Sequence, residues 1–583
     1  MSIPEECTNE EVMLELKNQI EKGVYTLGEL IVPQTFSKVS IVDNKVTTEE
    51  IEIKGRKIPF DMIRKKINIK HEKYMRTHTD QQLSTMSRNE IIKNLTKINE
   101  FKESDEHLSI VELKAKLIKF ERTRHLMMWH DGSTLSNHSH LMMMLCVMYD
   151  PAIHYTNEEF FQIHGEHINI QSVVERPNLY LLARCPSNDQ QIMYSDTRME
   201  DILSLNHDIP LPSGVPIKDI VRVFKGDSPA AQFEAGQQKG GNFFCWGCPI
   251  KAHQSSNIIS TLNVPVLSVQ DRINKVKESV ASQDKLINKK IKLYSNLDRA
   301  GLIHELHQRN IKFDCKAPLT VLTDKLQNEM HGMQRLPALM YNHSKSSLSE
   351  LNLSKYEILC TEPPHDVSNH TKNLFIELPL QFDKPFKETL QGIINSSFNG
   401  KDAKNSADYR KSLLIITKWF LERKNNIPSI NYKSIENIVF KILSTLAEIQ
   451  EILYLPDDER NVMKVLRFIN VTFIHGMLVS KFLDKSKSKL KDRKDFGVYY
   501  HSLIGHAPDQ FRLFSGRASN TEKEEAVFSS LKRFTNNASN HHPDNVITNA
   551  FIRHQSREMM KEDEIVSRPK ELSLSIIYRA NKS

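Results

Sequence analysis

Cysteine is scarce in this chain, with seven in 583 residues and an odd total. That scarcity excludes a disulfide framework and points to reduced thiols or a metal site. Long apolar runs are also missing. The longest, LMMMLCVM at 141–148, is far too short to span a bilayer, so no membrane partner is expected. The opening MSIPEECTNEEV is acidic and has no apolar signal region, which predicts a chain that stays inside the cell. A large net charge is missing as well: 79 Lys and Arg face 72 Asp and Glu, for a formal +7. This is a mild pull towards a polyanion that cannot carry a function by itself. Internal repeats and long low-complexity tracts are lacking. What remains, 39% hydrophobic and 26% charged, is globular in composition, and the length predicts several subdomains or one domain carrying a large insertion.

Residues 1–120 are charged and broken. Helical spacing in VELKAKLIKFERTR and a strand pair around KVSIVDNKVTTEEIEIKGRKI make them an α-rich accessory region, suited to DNA binding or dimerisation. In 121–248 the pattern changes to strands. RHLMMWHDGST, SHLMMMLCVMYD, NLYLLARCPS and IKDIVRVFKGD are short apolar or alternating runs parted by turn residues, as in a mixed sheet, and SPAAQFEAG after Asp227 starts a helix. Nearly everything in 249–500 has helical spacing, notably DAKNSADYRKSLLIITKWFLERKNN, SIENIVFKILSTLAEIQEILYL and DDERNVMKVLRFINVTFIHGMLVSKFL. The expected fold is therefore α/β, a mixed-sheet core interrupted by a large helical insertion, with 501–583 returning to the core. Within the insertion, 296–330 predicts two short helices with Leu302, Leu306, Leu322 and Leu326 facing inward. That pattern is similar to SAP-type DNA-binding modules and equally that of a plain helical hairpin. The stretch 481–495, with seven Lys or Arg against three Asp, is a solvated linker or a phosphate or nuclear-import contact.

Two half-sites for a metal stand far apart. Cys245 and Cys248 form a C-x2-C knuckle in GGNFFCWGCP, where glycine lets the backbone turn tightly around an ion. Tetrahedral zinc needs four ligands, and no second C-x2-C exists. His501 and His506, an H-x4-H pair in YYHSLIGHAPDQF, have a spacing that suits zinc. Together they predict a Cys2His2 site that closes the two ends of the insertion onto each other. The plainer alternative is a pair of unrelated core cysteines and two surface histidines.

The acids come next. Asp131 ends the first strand run and Asp227 follows the fourth. Ribonuclease H-like phosphoryl-transfer enzymes place two aspartates in this order so that both reach one edge of a sheet, as hard divalent cations with oxygen ligands require. Each aspartate alone also fits an ordinary turn. A third acid should lie on a helix packed against the sheet, and NTEKEEAVFSSLKRFTNNASNHH offers Glu522, Glu524 and Glu525, with Phe528 and Leu531 as its apolar face. Spacing favours Glu525 without separating the three, and acids in a first helical turn also suit the helix dipole.

With these residues in order, WHDG, KGD, CWGC, YYHSLIGHAPD and then TEKEEAVFSSLKR, the chain resembles the Transib and Chapaev branch of DDE transposases. That branch includes the catalytic subunit of the V(D)J recombinase. The resemblance covers roughly 124–560 and implies a ribonuclease H-like core. It implies that Asp131, Asp227 and Glu525 bind two Mg2+ or Mn2+ ions, and that Cys245, Cys248, His501 and His506 bind a structural Zn2+. PPHDVSNHTKNLF, with His365 and Asp366, looks like a further family segment supporting the site. The implied activity is DNA strand cleavage and strand transfer at transposon ends by a nuclear homodimer on double-stranded DNA, with Lys532 and Arg533 among its contacts. AVFSSLKR departs from the Asn- and Lys-rich text expected after the third acid, and no N-terminal zinc finger or end-binding module is found. Two other readings are compatible with the same residues: a domesticated, non-catalytic DNA-binding protein that retains the fold, and a metal-dependent nuclease outside transposition.

Overall fold

The computed structural model describes residues 29–31, 35–42, 45–52, 55–98, 100–135, 138–148, 155–165, 167, 177–185, 194, 197–198, 200–202, 205, 207–238, 241–277, 297–333, 337–338, 359–401, 404–426, 435–456, 459–483, 496–538, 546–547, 550–551 and 554. The strands are β1 (Glu29–Ile31), β2 (Thr35–Val42), β3 (Lys45–Glu52), β4 (Gly55–Lys57), β5 (Thr123–Leu135), β6 (His138–Val147), β7 (Asn178–Arg184), β8 (Ile209–Pro210) and β9 (Pro216–Lys225). The fold is mixed α/β. The main sheet runs β1-β4-β7-β6-β5-β9-β8, with β5 and β9 parallel and the other pairs antiparallel. The four strand runs read from the sequence are β5, β6, β7 and β9. The strand pair expected in the N-terminal region is the separate β2–β3 hairpin.

Both faces of the sheet are covered, which is why its central strands are apolar without a polar side. β6 shows the alternation: Leu141, Met143, Leu145 and Val147 enter one core, while Met142, Met144 and Cys146 enter the other. The first core is closed by the helix Phe60–His71 through Phe60, Ile63 and Ile67. The second is closed by the helix Glu522–Ala538 through Phe528 and Leu531, each burial contributing about 1.5–3 kcal/mol.

The region 1–120 is accordingly divided and does not stand as one accessory unit. β4 pairs with β7 at the sheet, and Phe60–His71 packs beneath it. Its Arg64 reaches the buried Asp219 of β9 at 2.7 Å, and Arg124 of β5 binds the same carboxylate at 2.6 and 3.0 Å. The helices Asp80–Thr85, Arg88–Lys97 and Ile110–Glu121, each opened by a capping box, form a separate small core around Leu83, Ile91, Leu95, Leu113 and Leu117.

The described part of 249–500 is mostly helical, but it is not one continuous excursion. Leu359 comes back to the sheet and bridges Phe224 of β9 in parallel, and Cys360 joins the second core. The helix Pro363–Glu377 begins immediately afterwards. Before that return lies the helical hairpin Arg299–Gln308 and Leu319–Met330, whose Leu302, Leu306, Leu322 and Leu326 are all buried as expected. After it, Ser406–Asn426, Ile435–Leu453 and Val462–Leu483 build the largest core together with Val367, Leu374, Tyr500, Leu503 and Phe511. Most of the basic stretch 481–495 lies outside the described residues. Val462–Leu483 is long and apolar enough to cross a membrane by length and composition, yet Phe468, Val471, His475 and Val479 along one face are buried in this core.

That core holds two buried histidines. His370 Nε2 lies 3.0 Å from His475 Nε2, and His475 Nδ1 is 2.8 Å from the Thr445 hydroxyl. Burial holds His475 down to about 3 against an ordinary 6.5. The folded state therefore refuses a proton that the unfolded chain takes up, so stability is complete above pH 6.5 and falls progressively below it. At pH 5 the cost is about 2 kcal/mol. We expect the drop in unfolding temperature between pH 7.5 and pH 5 to shrink in His475→Gln, as read by thermal melts of the two proteins at both pH values; an equal drop in both refutes it.

Candidate functional site

The knuckle and the distant histidines meet. Cys245 Sγ lies 3.1 Å from His506 Nε2, and Cys248 Sγ 3.1 Å from His501 Nε2. The four ligand atoms are within 4.8 Å of one another and all four residues are buried. His501 and His506 are 0% and 2% exposed, which disposes of the surface-histidine alternative. On a regular α-helix, residues five apart point about 140° away from each other. Here Ser502–His506 is a π-helical segment between Val498–His501 and Ala507–Phe511, and the wider turn brings both imidazoles to one side, their rings 4.9 Å apart. The knuckle is held by Arg272, which donates to the Trp246 and Gly247 carbonyls at 2.5 and 3.1 Å, and by the Gly247 amide, which donates to Cys245 Sγ at 3.2 Å. Position 247 must be glycine, since a Cβ there would stand 2.9 Å from His506 Nε2. Two thiols and two imidazoles with no further ligand are a donor set able to bind zinc with no open position.

The acids lie close by, since Gln232 of the helix that Asp227 caps donates to the Phe244 carbonyl beside Cys245. In the parallel β5–β9 ladder Trp129 is opposite Lys225. Asp131 and Asp227 each follow two residues later, Asp131 still within β5 and Asp227 just past the end of β9. Asp227 caps the helix Ser228–Glu234, its Oδ1 accepting from the Ala230 amide at 2.9 Å. Asp131 shares the Trp129 face of its strand. On that face the Phe528 ring packs edge-on against Trp129, at 6.3 Å, so the helix that carries the candidate third acid lies against β5, which runs past Asp131 to Leu135 instead of ending at it as the sequence suggested.

The packing sorts the three candidate glutamates. Glu524 turns into the sheet, where its Oε1 is 2.6 Å from Lys225 Nζ and accepts from Cys146 Sγ at 2.9 Å. It is 2% exposed and belongs to a buried ion pair. Glu522 turns outward to Arg410. Glu525 faces the acids: its Oε1 lies 3.4 Å from His365 Nδ1 and accepts from the Thr521 hydroxyl at 3.2 Å. A fourth acid, Glu362, was not among the sequence candidates. It sits between the Leu359 bridge and the helix Pro363–Glu377, ion-paired to His365 and hydrogen-bonded by the Thr521 hydroxyl. Asp366 is placed elsewhere. It is buried, accepts from the Ser502 hydroxyl at 2.7 Å, and ties this helix to the histidine-bearing one. Lys532 lies over the Phe528 ring and acts on Asp131, while Arg533 is exposed.

The electrostatics show that these groups share one space. Burial, then the neighbouring Asp227 charge, pushes Asp131 up to about 6. Glu525 is also raised, by burial and by Glu362 and Asp131, against the opposing pull of His365. Burial works against the His365 imidazolium, but Glu362, Glu525 and Asp227 outweigh it and hold it up to about 10. For Asp131 the folded state keeps a proton that the unfolded chain releases near 3.8. Its contribution to stability is present below pH 4 and lost as pH rises through 6, on the order of 2–3 kcal/mol. In metal-free buffer at pH 7.5, Asp131→Asn should therefore melt at a higher temperature than the parent protein, with the difference vanishing at pH 4. A variant that melts lower at pH 7.5 rules this out.

Carboxylates gathered at a strand edge suit hard divalent cations such as Mg2+ or Mn2+, and the nearby Cys2His2 group suits Zn2+. No protein-family model matches the chain, and no curated protein matches it.

Proposed function

We propose that this protein is a DDE-type DNA transposase or recombinase, cutting DNA strands and joining them by metal-dependent phosphoryl transfer. The observation that carries the reading is that Asp131 and Asp227 each stand two residues beyond the paired Trp129 and Lys225 of the parallel β5–β9 ladder, with Glu525 on a helix packed against the Trp129 face and within reach of the Asp131 charge. The strand order β7-β6-β5-β9, with Leu359 adding in parallel beyond β9, is consistent with a ribonuclease H-like core interrupted by helical segments.

Asp131, Asp227 and Glu525 would hold two Mg2+ or Mn2+ ions, which when bound supply Lewis acidity and an activated oxygen nucleophile. The residues' own work is to gather negative charge at one edge, so that the ions and the phosphate between them are positioned for in-line attack. Cys245, Cys248, His501 and His506 would hold a structural Zn2+ that fixes the end of the insertion beside Asp227. Lys532 and Arg533 on the Glu522–Ala538 helix would meet DNA phosphates, and the hairpin 299–330 would add a SAP-like contact, so affinity falls steeply with salt. A nuclear homodimer on double-stranded DNA follows from the need to act on two ends.

The test uses the full chain, with Mg2+ or Mn2+, on DNA carrying paired terminal inverted repeats of the transposon type and on random DNA of the same length. Nicking and strand transfer confined to the repeat-bearing DNA and dependent on metal support the proposal. A folded, zinc-loaded protein that binds this DNA without cutting it moves the assignment to a non-catalytic DNA-binding protein.

A further inference from the structure

Glu362 and Glu525 both contact the His365 imidazole, and the charges of Asp131 and Asp227 act on the same group of side chains, with His365 and Lys532 among the cations opposing them. Negative charge is thus in excess at a place partly withdrawn from water, where it is costly unless a cation joins it. Two of the acids converge on an imidazole. One ligand atom each from Glu362, His365 and Glu525 lies within 4.8 Å of the others, and His365 Nδ1 is 3.4 Å from Glu525 Oε1. Ligands about 2.1 Å from a shared ion stand about 3–4 Å apart, so side-chain rotation alone lets one ion take all three. The three come from two helices whose starts are locked together, because the Thr521 hydroxyl contacts both glutamates. The geometry is built, and not the accident of two mobile surface chains: Glu362 is 4% exposed and caps its helix by accepting from the His365 amide at 3.1 Å. A glutamate is also an uncommon choice for that cap, where shorter polar side chains are preferred.

We propose that Glu362, His365 and Glu525 form one of the two divalent-cation positions, and that its imidazole ligand makes the protein select Mn2+ over Mg2+. The inference rests on the phosphoryl-transfer reading and deepens it, assigning the second ion two ligands, Glu362 and His365, beyond the three acids. The chemical ground is ligand type. Mg2+ takes oxygen donors and keeps its waters, whereas Mn2+ lies where carboxylate and imidazole ligands are both accepted. The pairing of His365 with two carboxylates in the absence of an ion is what such a set adopts when its nitrogen carries a proton in the cation's place.

The test is Mn2+ titration of the zinc-loaded full chain, followed by electron paramagnetic resonance, with Mg2+ competition. Pulsed measurements on the bound Mn2+ would detect the nitrogen coupling of a coordinated imidazole. The parent protein should bind two Mn2+ and show that coupling. Glu362→Gln should weaken one ion at least tenfold. His365→Gln should abolish the nitrogen coupling and bring the Mn2+ and Mg2+ affinities of that ion within a few-fold of each other. A structural role alone would not remove the coupling, and His365→Gln, which leaves the helix cap in place, carries the test if Glu362→Gln fails to fold. Two bound Mn2+ with no nitrogen coupling in the parent, or unchanged affinity in both variants, overturns the inference. If Asp227→Asn loses Mn2+ while these two variants do not, the phosphoryl-transfer reading stands and only the second position is wrong. If Asp227→Asn also binds as the parent does, the reading beneath it fails too.

Discussion

Asp227→Asn should abolish the proposed metal-dependent DNA cleavage, by about a thousandfold or more, in a protein that remains folded. The side chain has two jobs that this substitution separates. As a cap it accepts from the Ala230 amide, and asparagine caps a helix as well as aspartate does, so the Ser228–Glu234 helix is undisturbed. As an acid it supplies a charge that asparagine cannot. Alanine would lose both, adding about 1 kcal/mol of cap energy to the result and clouding it. Glu525→Gln should behave as Asp227→Asn does, whereas Glu522→Gln, at a side chain turned outward to Arg410, should retain activity within a few-fold. Single-turnover cleavage of a labelled duplex, with circular dichroism as the folding control, decides it. An Asp227→Asn protein that still cuts, or a Glu522→Gln protein that does not, refutes the assignment of the acids.

Removing zinc should unfold more than the knuckle. Apparent binding energies for structural zinc are about 10–16 kcal/mol near neutral pH, comparable with the whole stability of a typical domain. Here the ligands are the joint between two cores. Tyr500, Leu503, Ile504 and Ala507, interleaved with the histidines, belong to the insertion's core, while Trp246 of the knuckle belongs to the sheet's. Four buried polar ligands without their ion would leave that joint costly and unheld. We expect one zinc per chain by metal analysis, a strong chelator to lower the melting temperature by more than 10 °C, on the order of several kcal/mol, and Cys248→Ser to accumulate as insoluble protein. A chain that purifies without zinc and melts unchanged in chelator would sink this account.

The central strands were legible because each is an apolar run bounded by turn residues, and the Cys2His2 group because two incomplete pairs have one chemically sensible completion. Glu525 was only half legible. Three acids share a first turn, and what distinguishes them is the helix's rotation on the sheet, set by Lys225 gripping Glu524 and by Phe528 lying on Trp129. Both partners are distant in sequence and neither is predicted by spacing. Glu362 was invisible for a related reason. Its place depends on Leu359 pairing with Phe224, and a lone bridge leaves no periodicity for a sequence pattern to reveal. The splitting of 1–120 was hidden too, since the strand that ties it to the sheet is only Gly55–Lys57.

Ribosomes make this chain in one direction, and the acids are strung along it at 131, 227, 362 and 525. β5 and β9 emerge together and can pair early, but the helix that carries Glu525 comes last, after the histidines that close the clasp. At about 5–20 residues per second, the unfinished chain spends many seconds with its first two acids made and its last one absent. A nascent or truncated product therefore lacks part of the acid cluster. On the proposed function, a messenger broken anywhere before that helix yields a protein harmless to DNA.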